Sequence, residues 1–145
     1  MKLIINKDAL SEMTVHAEAT FPNECVGFFY GVEDNQREVL VAREVPNAKK
    51  GDQRRRFEID PHDYLHAEKF AEKNGLTLLG IYHSHPNHPA IPSSHDLKQA
   101  VPYFSYIILS VMDGEKADIT SWQLNLDTNQ FDQEEIEIKQ FDKVD

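Results

Sequence analysis

The segment LTLLGIYHSH, residues 76–85, constrains the fold of this chain more than any other part of the sequence. Its first seven residues are largely apolar, which is typical of a strand that is buried on both faces. Such a strand lies inside a sheet, and we expect helices to pack on that sheet. The polarity changes at the carboxyl end of the strand, where histidines begin. The sequence therefore places a concentration of polar side chains at the end of a buried strand.

Short sequence signals divide the rest of the chain into helices and strands. Asn6 is suited to cap the first helix, Pro61 to start the second, and Gly75 to end it in a left-handed conformation. In the second helix we expect Leu65 and Phe70 to face the core. We predict helices over residues 7–20, 62–74 and 93–101, and strands over residues 2–6, 25–33, 37–45, 56–59, 76–85, 105–112, 117–125 and 131–139.

The composition indicates a single folded domain covering residues 1–145. The 15 basic and 25 acidic residues give a net charge of −10, which argues against a nucleic-acid-binding surface. The single cysteine, Cys25, excludes an internal disulfide and a four-cysteine zinc site, and it fits a reducing compartment. The amino-terminal apolar run is too short for a signal peptide or a membrane span. We therefore expect a cytoplasmic protein that binds neither nucleic acid nor membranes.

Two histidines at the end of the buried strand suggest a metal site. Residues two apart on a strand point to the same face, so His83 and His85 should emerge side by side, with Ser84 turned the other way. A catalytic zinc ion usually has three protein ligands, and Asp96 is the candidate for the third. Ser93 and Asp96 also have the spacing of a helix capping box, which is a purely structural interpretation. The spacing alone leaves both interpretations open.

The segment HSHPNHPAIPSSHD, residues 83–96, resembles the signature of the JAMM zinc metallopeptidases, also called MPN-plus or JAB-domain enzymes. That signature is His-x-His, seven residues, Ser, two residues and Asp, and every required position is present. The resemblance implies that His83, His85 and Asp96 hold one Zn²⁺ per chain and that Ser93 helps to hold the oxyanion or the substrate carbonyl. The family also needs an upstream glutamate, and Glu24 fits that place as the general base.

The resemblance spans nearly the whole chain and also implies a fold and a reaction. The fold would be α/β, an α/β/α sandwich around a curved mixed β-sheet that is similar to the sheet of cytidine deaminase. The reaction would be hydrolysis of the amide bond at the C-terminal tail of a ubiquitin-like or sulfur-carrier protein, by an enzyme of the stand-alone prokaryotic type. Tail trimming and release of an amino acid such as cysteine both stay open, as does a homodimer. Deamination is excluded because the chain lacks the Pro-Cys-x-x-Cys pair of the zinc deaminases.

Two alternative functions remain. A RadC-like protein associated with DNA repair shares the motif, but its helix-hairpin-helix region is missing here and the acidic net charge does not favour DNA. A non-catalytic MPN-type scaffold would have lost the ligands that this chain retains.

Other reactive side chains have simpler interpretations. His62 and His66 have the spacing of a zincin helix, but Asp63 stands where that motif needs a glutamate, so we do not expect a metal there. His88 and His95 occupy no ligand position of the signature and are not expected to be ligands.

Cys25 is expected to be a small buried hydrophobic residue, because no histidine is placed by the sequence to activate it.

The segment NAKKGDQRRR, residues 47–56, is the one basic island in an acidic chain. It contains Arg54, Arg55 and Arg56 and leads into residues 56–59, which we predict to be a strand. A solvated loop is one interpretation of these charges. The resemblance favours another, in which the arginines dock the substrate's tail and the strand pairs with it by strand addition.

Overall fold

The computed structural model describes residues 2–140. This part of the chain contains seven strands and three helices, in the order β1 (Lys2–Asn6), α1 (Lys7–Thr20), β2 (Val26–Glu33), β3 (Arg37–Val45), α2 (Pro61–Lys73), β4 (Thr77–Pro86), α3 (Ser94–Lys98), β5 (Ser105–Met112), β6 (Glu115–Asn125) and β7 (Gln130–Lys139). The three predicted helices and all but one of the predicted strands are present, with boundaries that agree to within a few residues. No helix among the described residues is long and apolar enough to cross a membrane.

The strands form one mixed sheet in the order β1-β3-β2-β4-β5-β6-β7. Strand β4 lies in its middle, antiparallel to β2 and parallel to β5. The sheet is mixed and strongly curved, as predicted, but it also closes into a barrel because β1 pairs in parallel with β7. The predicted α/β/α sandwich did not include this closure, and the pairing that closes the sheet joins residues at opposite ends of the chain. That contact leaves no local signal in the sequence.

Helices α1 and α2 lie on opposite faces of the sheet. Helix α1 begins at Asn6, whose side chain accepts a hydrogen bond from the Asp8 N–H at 2.9 Å. Its buried residues pack in a core cluster that includes Phe29. Helix α2 packs in a second cluster that includes Phe28, the preceding residue on the same strand. Since neighbouring residues of a strand point to opposite faces, each helix covers one face of the sheet.

The buried face of α2 differs from the prediction in one residue. Phe70 packs against the core as predicted, whereas Leu65 is 47% exposed and the prediction of a core role was wrong. The core positions are instead held by Ala67 and Ala71, which share the face of Phe70. These small side chains let the helix approach the sheet closely. Gly75 ends the helix with φ of +64°, as predicted.

The predicted strand at residues 56–59 is absent, which corrects the sequence interpretation. The Asn47 side chain holds this segment, because its amide donates to the Arg56 carbonyl and its oxygen accepts from the Glu58 N–H. One backbone bond, from the Ala48 N–H to the Glu58 carbonyl, completes the contact. The segment therefore pairs with its own loop and not with the sheet. Its Phe57 side chain is buried in the second core cluster.

Candidate metal centre

Strand β4 carries His83 and His85 at its carboxyl end, held by hydrogen-bonded strands on both sides. The two side chains share one face, and Ser84 points the other way, where its hydroxyl oxygen accepts the Cys25 N–H at 2.8 Å. Burial continues to the end of the strand, since His83 is 1% and His85 is 8% exposed. The histidines are thus part of the interior and not a polar edge in solvent.

The short helix α3 brings the third polar side chain. The Ser93 hydroxyl oxygen accepts the Asp96 N–H at 3.0 Å, and an Asp96 carboxylate oxygen accepts the Ser93 N–H at 2.8 Å. This is a complete capping box. The same carboxylate oxygen lies 3.3 Å from the His85 Nε2. The side chain that caps the helix is therefore also the one that faces the two histidines, so the two interpretations that the sequence left open are compatible.

Three ligand atoms converge within 4.8 Å of one another. The Nε2 atoms of His83 and His85 are 3.2 Å apart, and an Asp96 oxygen lies 3.4 Å from the first and another 3.3 Å from the second. A tetrahedral zinc ion with bonds of about 2.0–2.1 Å separates its ligand atoms by roughly 3.3–3.4 Å. The separation of the two Nε2 atoms and the chemistry of the three donors therefore fit a zinc ion. Within residues 2–140, this is the one cluster of His, Cys, Asp or Glu side chains with such convergence.

The surroundings of the Nδ1 atoms show what orients the imidazole rings of His83 and His85. The His85 Nδ1 lies 2.8 Å from the Pro89 carbonyl, an acceptor that fixes a proton on Nδ1 and leaves Nε2 free to bind a cation. The His83 Nδ1 is buried and has no hydrogen-bond partner among the described residues. Its ring is held instead by Phe57, with ring centroids 4.6 Å apart. Phe57 was not predicted to be near the site, because the sequence marks it only as an apolar residue directly after the basic loop.

Burial and charge set the protonation of the ligands. Burial lowers the pKa of His83, although the charge of Asp96 opposes that shift. For Asp96, burial alone would raise the pKa, but His83, His85 and the Ser93 N–H together hold it well below its usual value. A neutral imidazole and a charged carboxylate are the forms that bind metal ions, and both are favoured near neutral pH.

Glu24 lies directly before β2 and is 4% exposed. Its N–H donates to the Gln53 carbonyl at 2.7 Å, and its carbonyl accepts the Asn47 side-chain amide at 3.2 Å. Its carboxylate oxygen Oε1 is buried with no hydrogen-bond partner in residues 2–140. Burial first, and then the charge of Asp96, raise the pKa of Glu24 to about 9. The carboxyl group is thus poised to hold a proton beside the cluster.

A cleft of about 460 Å³ joins these groups to solvent. It is lined by Glu24, His85 and Ser93, which places the predicted catalytic residues around one space. Of the three arginines predicted to bind substrate, Arg55 lines this cleft, while Arg54 lies beside Asp52, 3.7 Å from its carboxylate.

Arg56 is exposed and meets Asn47 only through its carbonyl. Ile91 also lines the cleft and is 61% exposed, which the sequence analysis did not anticipate.

The remaining candidates lie outside the cluster. His62 is bound to Asp60 at the start of α2, and His66 is exposed, so neither belongs to a metal cluster in the described chain. His88 lines the cleft and His95 lies on α3, and neither belongs to the converging group.

Cys25 is 2% exposed, and burial raises its pKa to about 12, which suits the predicted core residue and not a nucleophile.

Residues 6–125 match the family of prokaryotic homologs of the JAB domain. The chain belongs to this family. The predicted resemblance is therefore confirmed for most of the chain, including every element that carries a site residue.

Relatives of the chain include proteins named as a protease and as a peptidase. The chain is 36% identical over 115 residues to a probable TtuB-protein conjugate cleaving protease of Thermus thermophilus, covering 79% of this chain and 74% of that protein. It is 27% identical over 123 residues to a CysO-cysteine peptidase of Mycobacterium bovis, covering 84% and 82% of the two chains.

Solved structures agree with the fold. A solution structure of a protein from Desulfitobacterium hafniense superposes with a TM-score of 0.83 at 33% identity, covering 96% of this chain and 94% of that one. A JAB1/MPN domain protein from Archaeoglobus fulgidus gives a TM-score of 0.58 at 15% identity, covering 95% and 97%, and shows the fold alone.

The converging ligand atoms predict the metal content of variants. Wild-type protein should bind about one Zn²⁺ per chain, whereas His83→Ala and Asp96→Asn should lose most of it, because each removes one of three ligands. The Asn variant keeps a side-chain oxygen that can accept the Ser93 N–H in the helix cap. A loss of zinc from this variant would therefore come from the missing ligand and not from a broken cap. His62→Ala is the control and should keep its zinc. Metal analysis after gel filtration decides, and wild-type zinc in Asp96→Asn would refute the site.

The raised pKa of Glu24 predicts a pH dependence of stability in the metal-free protein. The folded-state pKa of about 9 exceeds the ordinary value of 4.5, so between these values the folded state keeps a proton that the unfolded state releases. The free energy of unfolding should therefore fall as the pH rises through this window. Glu24→Gln lacks this titration, so the melting temperature of the variant minus that of wild type should increase as the pH rises from 5 to 8. If the melting temperatures of wild type and Glu24→Gln changed in parallel across this range, the raised pKa of Glu24 would be contradicted.

Proposed function

We propose that this protein is a zinc-dependent metallopeptidase that hydrolyses the amide bond at the C-terminal tail of a ubiquitin-like or sulfur-carrier protein. The observation that carries the proposal is the convergence of His83, His85 and Asp96 beside a cleft that Glu24 and Ser93 also line. The names of the two relatives support it, since one is a probable TtuB-protein conjugate cleaving protease and the other is a CysO-cysteine peptidase. We also propose that residues 1–145 act as one catalytic domain in the cytoplasm and that nucleic acid is not a partner.

The three ligands would hold Zn²⁺ and leave a fourth position for water. When bound there, the ion would lower the pKa of that water to about 7 and polarise the substrate carbonyl. The protein supplies the rest of the site. The Pro89 carbonyl and the Phe57 ring keep the two imidazoles in place, and the capping box does the same for the carboxylate.

Glu24 acts as the proton carrier of the reaction. Its carboxyl group is buried beside the cluster with Oε1 unpartnered in the described chain, so a water in the cleft is its natural partner. With a cation held by the neighbouring ligands, Glu24 would be ionised and would accept a proton from water. Glu24 then gives this proton to the leaving nitrogen, because an amide nitrogen leaves only as an amine.

Ser93 stabilises the charge that develops on the carbonyl oxygen. Its hydroxyl oxygen already accepts the Asp96 N–H, and its own hydroxyl proton is free to donate into the cleft. A donor fixed in this way costs little reorganisation as the oxyanion forms. The helix cap therefore supports the reaction as well as the fold.

The role of Glu24 gives a kinetic prediction. Glu24→Gln keeps the shape of the side chain but cannot carry the proton, so turnover should fall by roughly 10²–10⁴ while zinc binding is unchanged. Ser93→Ala should lose less. The test is hydrolysis of a small ubiquitin-like protein extended beyond its Gly-Gly end, together with metal analysis of each variant. Full activity in Glu24→Gln would place the base elsewhere, and loss of zinc would make Glu24 a ligand.

Arg55 gives a prediction for substrate binding. Since Arg55 lines the cleft and Arg54 does not, Arg55→Ser should raise KM for an acidic ubiquitin-like substrate several-fold with little change in kcat. Arg54→Ser removes the same charge from the same loop and is the matched control. Steady-state kinetics at low ionic strength measure both. Equal KM values for the two variants would show that the cleft arginine does not hold the substrate.

A further inference from the structure

A second cavity of about 300 Å³ meets the first at Glu24. Glu24 lines both spaces, whereas His85, Ser93 and Arg55 line only the first. The second cavity is also lined by His16 and Glu44, and by Asn47 and Gln53, which bind the backbone of Glu24. No lysine or arginine lines it among the described residues. The two spaces on either side of the proposed proton carrier thus differ in charge.

His16 is fixed in the wall of this cavity by strand β4. Its Nδ1 lies 2.8 Å from the Tyr82 hydroxyl, and its Nε2 lies 3.6 Å from a Glu44 carboxylate oxygen. The Tyr82 ring crosses Gly27, where an added Cβ would come within 2.4 Å of the ring. This close approach needs glycine and connects the cavity wall to the strand that carries the metal ligands.

The net charge of the second cavity is negative. The Glu44 side chain is 73% exposed and contributes a carboxylate to this wall. Burial lowers the pKa of His16, although Glu44 opposes that shift, so the imidazole is mostly neutral at pH 7 and does not cancel the carboxylate.

The proposed reaction divides the substrate between the two spaces. Hydrolysis breaks the C–N bond, adds the water's hydroxyl to the carbonyl carbon, and sends its proton through Glu24 to the nitrogen. The carbonyl half must lie near Ser93 and the metal ligands, which places the carrier's tail in the first cleft. The nitrogen receives its proton from Glu24, which also lines the second cavity.

We infer that the second cavity binds the leaving-group side of the substrate and disfavours a leaving group with a free carboxylate. This inference rests on the proposed function and refines it. A lysine side chain of a protein, or any amine whose neighbouring carboxyl is in a peptide bond, meets no repulsion from Glu44. A free amino acid such as cysteine brings its carboxylate beside Glu44. A single like-charge contact at this exposure changes binding by a factor of roughly two to five.

The experiment compares two substrates that differ in one charge. Each is a small ubiquitin-like protein ending in Gly-Gly and extended by one cysteine, with either a free carboxylate or a carboxamide. Wild type should cleave the carboxamide with the higher kcat/KM. Glu44→Lys should change the ratio of the two kcat/KM values in favour of the free carboxylate by about three- to tenfold, because attraction replaces repulsion.

Glu72→Lys is the matched control, since Glu72 is exposed on α2 and lines neither cavity. It makes the same change in net charge and should leave the ratio unaltered. A ratio that differs by less than twofold between wild type and Glu44→Lys would overturn the inference while leaving the proposed function intact. If wild-type, zinc-loaded protein cleaves neither substrate, the proposed function fails and this inference fails with it.

Discussion

The burial of three ligand side chains against one another is the constraint on which the rest of the structure depends. His83 and Asp96 lie 3.4 Å apart and are almost fully removed from solvent. Removing charged and polar groups from water is costly unless they find partners. Here the partners are each other, the capping box and a neighbouring carbonyl, and the donor atoms that remain point to one common centre. A cation at that centre would satisfy all three at once.

This arrangement requires rigid surroundings, and the fold provides them. Strand β4 has a hydrogen-bonded neighbour on each side, so the spacing of the two histidines is set by the pleat. Asp96 is fixed by the backbone at the start of α3. Glu24 is held by the loop that also brings Phe57 onto His83. The site residues therefore come from three places, which are β4 for the two histidines, the start of α3 for Ser93 and Asp96, and the segment before β2 for Glu24.

The features that could be predicted from sequence depend on short-range patterns. The caps at Asn6 and Ser93, the left-handed Gly75 and the alternation of His83 and His85 are all set within a few residues. The closure of the sheet by β1 and β7, the contact of Phe57 with His83, and the second cavity depend on residues that are distant in sequence. Leu65 shows the same limit, because the helical period alone did not reveal which face the sheet covers. Residues 56–59 have the apolar alternation of a strand, but Asn47 takes up their backbone groups.

The central claim is that one zinc ion sits between the three converging side chains. Anomalous diffraction from crystals of the zinc-loaded protein, recorded on both sides of the zinc absorption edge, tests it most directly. We expect one peak per chain, about 2.0–2.1 Å from the Nε2 atoms of His83 and His85 and from an Asp96 oxygen, with Glu24 beyond bonding distance. A peak at His62, or one that Cys25 or Glu24 ligates directly, would contradict it.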